Sequence, residues 1–299
     1  MPEPLAGRPG LRVILLTVAA MLAFAANSLL CRMALQQGGI DAASFGSIRL
    51  VAGALTLALV VRLRARPDAA GRADWLAAAM LFAYVAFFSF AYLSLPAGTG
   101  ALILFGAVQL TMLGAGLRAG EMFGPVAWSG FVLAVAGLVY LVSPGVSAPP
   151  ALGASLMAVA GVAWGVYSLR GRGVADPLAA TARNFARAAP MALALSLLLA
   201  GRAHADAAGI ALAVASGALT SGIGYVIWYA ALPGLSAMRA ATVQLSVPPI
   251  AAFAGVIFLS EAITTRLMFC SIAILGGIAL VLMGKARAAG TQASSQRSG

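Results

Sequence analysis

Two long stretches of the chain contain no charged residue, and they constrain the fold more than any other feature. The first runs from Trp75 to Leu117 and the second from Met122 to Leu169. A helix needs about 20 apolar residues to cross roughly 30 Å of hydrocarbon, so each stretch is long enough for two spans. Helices cannot continue through Pro96-Ala97-Gly98 or through the turn residues between 143 and 150. The sequence therefore predicts several consecutive transmembrane helices.

Composition places the chain in the membrane class. Of its 299 residues, 62% are hydrophobic and 9% are charged, whereas soluble domains carry roughly 25% charged residues. A soluble protein of this size could not cover its surface with so few charges, so we predict an all-α integral membrane protein. No phosphate-binding motif of the type Gly-x4-Gly-Lys-Ser/Thr occurs. We therefore predict no soluble domain, no cofactor and no metal.

Ten apolar segments are long enough to cross a bilayer. The first lacks a small-residue cleavage site, so we interpret it as a span and not as a signal peptide. We expect residues 11–142 to form one set of five helices, 151–284 a second set, and 285–299 a disordered cytoplasmic tail. The predicted spans are 11–33, 43–62, 74–95, 98–117, 123–142, 151–170, 179–200, 207–230, 237–259 and 265–284.

The positions of the basic residues predict the orientation of the chain. Cytoplasmic loops of membrane proteins carry an excess of lysine and arginine, and such an excess is obtained here if the N-terminus is inside. Both termini are then cytoplasmic, which we assign to a bacterial inner membrane. The net charge of +11 does not indicate nucleic-acid binding, because the arginines lie mostly in short loops between apolar helices. The inner residues would be Arg8, Arg12, Arg62, Arg64, Arg66, Arg72, Arg118, Arg170, Arg172, Arg239, Lys285, Arg287 and Arg297, and the outer ones Arg202 and Arg266.

The second half of the chain repeats features of the first. A Leu-Pro turn, a Val-Gln-Leu triplet, a glutamate and a glycine 16 positions after that glutamate occur in both halves. The first copy has Pro96, Gln109, Glu121 and Gly137, and the second has Pro233, Gln244, Glu261 and Gly277. Upstream, Phe24, Ser28, Arg32 and Arg49 match Trp164, Ser168, Arg172 and Arg187. We interpret the chain as a duplicated unit with small insertions.

An odd number of spans in each copy has a topological consequence. Five helices that start inside end outside, so the second five run in the opposite sense across the membrane. The halves are then related by a pseudo-two-fold axis in the membrane plane, which is typical of secondary transporters. The predicted substrate site lies near the midplane, in a central cavity between the two inverted halves.

These features resemble the EamA-type, ten-helix members of the drug/metabolite transporter superfamily. The resemblance rests on five plus five helices, an acid after helices 4 and 9, a glycine-bearing helix after each acid, and the spacing from Pro249 to Glu261. The first half lacks the corresponding proline. The resemblance covers nearly the whole chain, and the chain is most similar to the bacterial aromatic and neutral amino-acid exporters. It implies that helices 1–4 and 6–9 surround the cavity and that helices 5 and 10 are peripheral.

Polar and aromatic side chains on the predicted cavity helices are the candidates for substrate binding. Amides inside a span must face the protein interior because lipid offers them no partner. There they could bind an ammonium or a carboxylate, while aromatic faces accept an apolar group or a cation. The alternatives are helix–helix hydrogen bonds for the glutamines and an interfacial belt for the aromatic residues near helix ends. The candidates are Asn27, Tyr84, Phe88, Gln109, Trp164, Tyr167, Ser168, Tyr225, Trp228 and Gln244.

Other residues are assigned structural or gating roles. Arg49 and Arg187 are expected to extend towards the nearer membrane interface, with a clamp for carboxylate or phosphate as the alternative. Glu121 and Glu261 are expected to cap the helices that they precede. Pro248-Pro249 is predicted to kink helix 9 near its centre, either as a gate or as a packing feature.

The predicted function is export of small metabolites by alternating access, with aromatic or neutral apolar amino acids as the first choice. No acid is predicted inside a span, which favours a uniporter-like mechanism without an embedded proton-binding carboxylate. An exchanger of organic phosphates or nucleotide sugars and a drug exporter stay open as alternatives. An enzyme is disfavoured because the one histidine, His204, is predicted in a loop. The expected partners are the small molecule and the bilayer, in a monomer or a homodimer.

Overall fold

The computed structural model describes residues 10–64 and 74–295, and the regular elements in these ranges are helices. In the first half the helices are α1 (Leu11–Gln36), α2 (Ala42–Leu63), α3 (Trp75–Ala91), α4 (Ala97–Arg118) and α5 (Pro125–Val142). In the second half they are α6 (Ala151–Arg170), α7 (Pro177–Leu198), α8 (Ala207–Ala215), a π-helix (Ser216–Ile223), α9 (Gly224–Ala231), α10 (Ala237–Gln244), α11 (Val247–Leu259) and α12 (Thr265–Ser295).

Eight helical stretches in the described part of the chain are apolar and long enough to cross a membrane. Two of them are composite: Ala207–Gly234 contains α8, the π-helix and α9, and Arg239–Leu259 contains most of α10 and all of α11. The helix α3 is apolar but shorter. The helix α7, which carries Arg183 and Arg187, is not among the eight. The chain is therefore a multi-pass membrane protein.

Four of the helices begin at an aspartate that serves as the N-cap. The carboxylates of Asp41, Asp74, Asp176 and Asp206 accept hydrogen bonds from backbone N–H groups in the first turns of α2, α3, α7 and α8. These N–H groups have no partner within the helix, so a side-chain oxygen at this position stabilises the start. The acids of the chain thus mark helix ends, and every aspartate and glutamate in the described ranges lies outside the helices.

Polar contacts define two ends of the helix bundle. At the near end, where α1 begins, Asp74 pairs with Arg170 at 2.8 Å and Arg64 with Asp176 at 3.7 Å. At the far end, where α1 finishes, the Asp41 carboxylate accepts a hydrogen bond from the His204 backbone N–H. The near end therefore joins the end of α6 to the start of α3, and the far end joins the start of α2 to the loop before α8. As a result α1 and α6 run in opposite directions.

The helices α4 and α6 cross at very short range. Gly161 and Gly165 on α6 face α4, and a Cβ atom on Gly161 would come within 2.7 Å of the Leu104 carbonyl oxygen. Small residues at such positions let two helix backbones approach closely within a membrane. This crossing fixes Trp164, one position before Gly165, against the middle of the bundle.

The helices α5 and α12 pack against each other at the periphery. A Cβ on Gly130 would lie 2.5 Å from the Gly277 carbonyl oxygen, and a Cβ on Gly277 would lie 2.5 Å from the Gly130 carbonyl oxygen. The contact is thus reciprocal between corresponding helices of the two halves. Arg266, at the start of α12, donates hydrogen bonds to the carbonyls of Tyr140 and Ser143 at the end of α5.

The C-terminal segment differs from our expectation. We expected residues 285–299 to be disordered, but α12 continues to Ser295. Residues 285–295 are therefore helical in this structure, because the helix that crosses the bundle simply continues past its apolar part. Residues 296–299 lie outside the described ranges.

Candidate functional site

A small cavity lies among the helices of the bundle. Its wall is formed by α1, α2, α3, α4, α6, the π-helix and α9, and by no residue of α5 or α12. The free space measures about 10 Å³, which is room for about one water molecule. The lining residues are Phe24, Asn27, Ser28, Arg49, Tyr84, Phe88, Leu104, Phe105, Trp164, Thr220, Ser221 and Tyr225.

The guanidinium of Arg49 is the one charged group in the wall of this cavity. The side chain is 2% exposed, although it lies within the hydrophobic span of α2. Nη2 donates to the phenolic oxygen of Tyr84 at 2.9 Å, and Nε donates to Ser221 Oγ at 3.2 Å. The guanidinium carbon lies 5.1 Å and 4.9 Å from the ring centres of Tyr84 and Phe88. These neutral partners orient the arginine but do not balance its charge.

One nitrogen of the same guanidinium has no hydrogen-bond partner. Nη1 of Arg49 is buried and unsatisfied, which is rare for a polar atom and costly for a charged one. No carboxylate lies in the cavity wall. The cavity therefore presents a free, charge-assisted donor in an otherwise neutral setting.

Asn27 links the arginine region to the π-helix. Its Nδ2 donates to the Tyr84 phenolic oxygen at 3.3 Å, and its Oδ1 accepts from Ser216 Oγ at 2.7 Å and from Thr220 Oγ1 at 3.3 Å. All these side chains are at least nine-tenths buried. Ser216, Thr220 and Ser221 belong to the π-helix, a conformation that is often found at functional sites. The network holds α1, α3 and the π-helix in a fixed relation.

Aromatic rings form the remainder of the wall. Tyr84 stacks on Trp164 with ring centres 5.0 Å apart and planes 26° apart. Phe24 and Phe105 each pack edge-to-face with Trp164, with ring centres 6.2 Å and 5.4 Å from that of Trp164. Such offset and edge-to-face arrangements are favourable for aromatic pairs, and the faces that they leave accept apolar groups. The cavity thus has a basic polar side and an aromatic side.

Close packing of α2 against the π-helix positions Arg49. A Cβ on Gly217 would overlap the Arg49 carbonyl oxygen, and a Cβ on Gly53 would lie 3.2 Å from the Gly217 carbonyl oxygen. A larger residue at Gly217 would therefore push α2 away from the π-helix. The absence of a side chain brings the Arg49 side chain within reach of Ser221.

Comparisons with known proteins agree with this architecture. Residues 151–283 match the EamA-like transporter family. An uncharacterized protein of Pseudomonas aeruginosa is 56% identical over 274 residues, which cover 92% of this chain and 96% of that protein. The chain belongs to the EamA-like transporter family. One solved crystal structure of a protein shares 19% sequence identity with this EamA-like chain, with a TM-score of 0.65 over 91% of this chain and 98% of that chain. At this identity the likeness concerns the fold alone.

The structure brings together part of the predicted site of this EamA-like transporter. Five of the ten substrate-binding candidates line the cavity, namely Asn27, Tyr84, Phe88, Trp164 and Tyr225. The other five do not line it, namely Gln109, Tyr167, Ser168, Trp228 and Gln244. Which of the ten candidates line the cavity depends on how the helices pack, and helical spacing in the sequence does not specify this.

The candidates outside the cavity have other positions. Gln109 is buried in α4, and Ser168 is half-buried in α6. Trp228 is buried behind Phe24, with ring centres 6.0 Å apart. Tyr167 donates to Thr181 Oγ1 at 3.4 Å. Gln244 is the last residue of α10.

Arg49 was expected to extend towards the membrane interface, and the structure shows this to be wrong. Its guanidinium lies in the cavity because Tyr84 and Ser221 offer it hydrogen-bond acceptors there. Arg187, the matching residue of the second half, is instead half-buried, with its guanidinium 5.8 Å from the ring centre of Trp75 at the near end. The two arginines that the sequence analysis matched therefore occupy different environments.

Glu261 caps a helix, but not the helix that it precedes. Its Oε2 accepts from the Ala97 backbone N–H at 2.7 Å, at the start of α4, and its Oε1 accepts from Arg32 Nε at 3.1 Å. Arg32 Nη1 also donates to the Tyr92 carbonyl oxygen at 2.9 Å. A carboxylate is favourable at the positive end of a helix, and an arginine completes the pair. The contacts tie α1, α3, α4 and α11 together at the far end.

Glu121 has a local conformation that matches that of Glu261. The backbone N–H groups of Glu121 and Glu261 donate to the carbonyls of Gly116 and Gly255, at 3.0 Å and 3.1 Å. In both cases the carboxylate lies over the glycine, where a Cβ atom would overlap it. The N-cap of the helix after Glu121 is Gly124, so Glu121 does not cap α5 as expected.

The break in the ninth predicted span lies just before the two prolines. The helix α10 ends at Gln244 and α11 begins at Val247, with Pro248 buried and Pro249 exposed in its first turn. Proline is tolerated there because the first N–H groups of a helix have no intrahelical partner. Neither proline lines the central cavity.

Several site residues were not candidates for substrate binding. Phe24 and Ser28 were recognised only as repeat positions, and Phe105 and Leu104 carried no signal that distinguishes a cavity wall from ordinary packing. Ser216, Thr220 and Ser221 lie within five residues of each other in an otherwise apolar segment. That cluster of hydroxyls is the signal that could have identified the π-helix as part of the site.

Proposed function

We propose that this protein is a bacterial inner-membrane secondary transporter that exports small metabolites, with aromatic or neutral apolar amino acids as its substrates. The observation that carries this proposal is the central cavity, which is lined from both halves of the chain and divided into a polar and an aromatic side. A substrate with an apolar body and a charged head matches that division.

In this proposal ten spans form two inverted halves, and the cavity lies between the halves. The opposite directions of α1 and α6 and the reciprocal packing of α5 with α12 support this arrangement. So does the contact between Phe24 and Trp164, which are matching positions of the duplication and lie 6.2 Å apart. In a two-fold arrangement, matching residues meet only close to the axis. Tyr84 and Ser221 both bind Arg49. These two residues are separated in the sequence by the same number of positions as Tyr92 and Tyr229, which match each other in the repeat.

Alternating access follows from the small size of the cavity and from the contacts at its ends. The cavity holds about one water molecule, so a substrate enters only when helices separate at one end. Arg32, Glu261 and the start of α4 close the far end. By the repeat, Arg172, Glu121 and the start of α10 are the elements that close the near end in the opposite conformation. With cytoplasmic termini, the far end faces the periplasm.

The transport mode that we propose is uniporter-like. A proton-coupled exporter needs a group that alternates between proton and substrate, usually an embedded carboxylate. Every acid in the described ranges lies outside the helices. The substrate gradient therefore supplies the driving force.

Flux measurements in liposomes that contain only this protein test the proposal. Vesicles are loaded with labelled phenylalanine, tryptophan, methionine or threonine, with and without a pH gradient. We expect downhill flux of the aromatic amino acids that does not respond to the pH gradient. Trp164→Ala should reduce it about 10-fold or more, since truncating a buried aromatic costs about 1–3 kcal/mol of binding.

The matched control is Trp128→Ala, because Trp128 is 46% exposed on α5 and packs against Phe123 and Phe131. This variant should transport at the wild-type rate. Flux that requires the pH gradient would contradict the uniporter-like mode, and absence of amino-acid flux would contradict the substrate assignment.

Exchange of organic phosphates or nucleotide sugars is the second candidate. The buried guanidinium of Arg49 favours it, since arginine binds phosphate and carboxylate with the same planar set of donors. Counterflow of labelled phosphate esters against unlabelled ester, in the same liposomes, distinguishes this candidate from amino-acid export.

A further inference from the structure

We infer that the cavity recognises the acidic group of its substrate through Arg49 and makes no specific site for an amino group. The ligands that it fits are therefore apolar or aromatic anions, including carboxylates that lack an α-amino group. The inference rests on the proposed transport function and narrows its substrate class by charge.

The first part of the argument is the unbalanced charge of Arg49. The guanidinium is 2% exposed, its partners Tyr84 and Ser221 are neutral, and Nη1 has no acceptor. Removing a cation from water is expensive unless an opposite charge and full hydrogen bonding offset the cost. The wall offers no such charge. An anionic substrate supplies both the charge and the missing acceptor, so its acidic group is the natural partner of Nη1.

The second part of the argument concerns the amino group. An ammonium inside the membrane needs a carboxylate or several free acceptors. The amide oxygen of Asn27 already accepts hydrogen bonds from Ser216 and Thr220, and the Tyr84 oxygen accepts from Arg49 and Asn27. The amide oxygen of Asn27 and the phenolic oxygen of Tyr84 are thus engaged by donors of the protein, and the remaining acceptors in the wall are neutral hydroxyl groups, which do not balance the charge of an ammonium.

The aromatic rings do not offer an alternative site for a second cation. The guanidinium of Arg49 already lies 5.1 Å from the ring centre of Tyr84 and 4.9 Å from that of Phe88, and Tyr84 also stacks on Trp164. A substrate ammonium beside them would be repelled by the fixed guanidinium, and this repulsion is strong at low dielectric constant. The structure therefore favours an acid over the corresponding amine.

Binding of four related compounds to the purified full-length protein in nanodiscs tests the inference. The probes are phenylalanine, 3-phenylpropanoate (no amino group), phenethylamine (no acidic group) and phenyl phosphate, measured by isothermal titration calorimetry. We expect 3-phenylpropanoate to bind at least as tightly as phenylalanine. Phenethylamine should bind about 10- to 100-fold more weakly, the range expected when a hydrogen bond to a charged group is lost.

Variants of Arg49 assign the effect to this residue. Arg49→Gln should abolish discrimination between the acid and the amine, and Arg49→Lys should restore part of it because the charge is kept. Arg187→Gln is the matched control, since Arg187 lies against Trp75 outside the cavity, and it should bind all probes as the wild type does. Retained binding of an apolar ligand by Arg49→Gln would show that this variant is folded.

The outcomes separate the inference from the proposed function. Tight binding of phenethylamine, or of phenylalanine without 3-phenylpropanoate, would overturn the inference, as would a failure of every anionic probe to bind. Flux of 3-phenylpropanoate without flux of phenylalanine would overturn amino-acid export and support the inference. Tighter binding of phenyl phosphate than of 3-phenylpropanoate would also support it, and would identify a phosphate as the acidic group.

Discussion

Two arginines of this protein show that the role of a residue inside a membrane protein depends on its neighbours. Arg32 and Arg49 lie on neighbouring helices, but Arg32 has a carboxylate partner and Arg49 has none. The first holds helices together at one end of the bundle. Arg49 holds an uncompensated positive charge in the central cavity. The difference arises from the neighbours that the fold supplies and not from the arginine itself.

Glu261 provides a prediction at the residue scale. Glu261→Gln removes the ion pair with Arg32 while an amide oxygen can still accept from Ala97, so we expect the far end to open more often. Cys31, which is adjacent to Arg32 and 0% exposed, reports the opening. In a Cys270→Ser background, a water-soluble maleimide should label Cys31 about 10-fold faster than in the wild type, as the loss of a charged hydrogen bond implies.

Glu121→Gln is the control for this labelling experiment, because Glu121 follows α4 at the near end. Because Glu121 is proposed to close the near end when the far end is open, this variant should not raise the labelling rate of Cys31. Equal labelling of Cys31 in Glu261→Gln and in the wild type would contradict the role of Glu261 in closing the far end.

The sequence predicts the candidate residues better than their arrangement. Asn27 and Tyr84 could be identified because a polar group in an apolar helix must face other protein groups. Arg49 could not be placed, since an arginine near a helix end can also reach the interface, and the choice depends on acceptors from α3 and the π-helix. Gln109 met the same sequence criterion as Asn27 but lies outside the cavity. Distance from the bundle axis is a tertiary property.

At the scale of elements, the π-helix is the part that sequence reasoning did not anticipate. Its residues continue the apolar character of α8 and α9, so the hydrophobicity of the segment predicts one ordinary span. Thr220 and Ser221 of the π-helix lie in the cavity wall, and Ser216 donates a hydrogen bond to Asn27 beside it. By contrast, the break before Pro248 was predictable, because proline lacks the N–H that a continuing helix requires.

Gly217→Ala tests the contact between the π-helix and α2. The added Cβ would overlap the Arg49 carbonyl oxygen, and overpacking of this kind costs about 1–3 kcal/mol. We expect a lower melting temperature and at least a 10-fold loss of substrate flux, since Arg49 is displaced from Ser221. Gly114→Ala is the control, because nothing lies within 4 Å of a Cβ at that position. Wild-type flux in Gly217→Ala would contradict the close packing described here.

The start of α2 provides a prediction about acid. Burial acts to raise the pKa of Asp41, but hydrogen bonds from Ser44, His204 and Ala43 outweigh it and hold the pKa below its ordinary value. A lowered pKa in the folded protein stabilises it above the unfolded pKa of about 3.9, and that contribution is lost as the pH falls through the folded value.

Thermal unfolding measured between pH 7 and pH 3 checks this prediction. Asp41→Asn keeps an N-cap oxygen without the titrating group, so its stability should fall less steeply with acid than that of the wild type. Asp41→Ala removes the cap and should cost about 1 kcal/mol at neutral pH. Identical acid profiles for the wild type and Asp41→Asn would show that Asp41 does not contribute to the loss of stability.

For the whole molecule, the two ends of the bundle should face opposite compartments. In a background without native cysteines, Gln37→Cys at the far end should react with an impermeant maleimide in intact cells. Ala119→Cys at the near end should react only after the membrane is permeabilised, because basic residues concentrate on the cytoplasmic side. Both positions are exposed, so accessibility is not limited by packing. The reverse pattern of labelling would place both termini outside the cytoplasm.

A positive charge fixed in the central cavity also affects which ions the protein conducts. Bacterial cells store energy as a proton gradient, and any carrier that admits water is a potential leak for that gradient. A buried arginine repels hydronium and sodium ions, as fixed positive charges do in selective channels. The cavity beside Arg49 has room for about one water molecule and not for a continuous file. The residue that we propose as the binding site of the substrate's acidic group therefore also opposes the leakage of cations across the membrane.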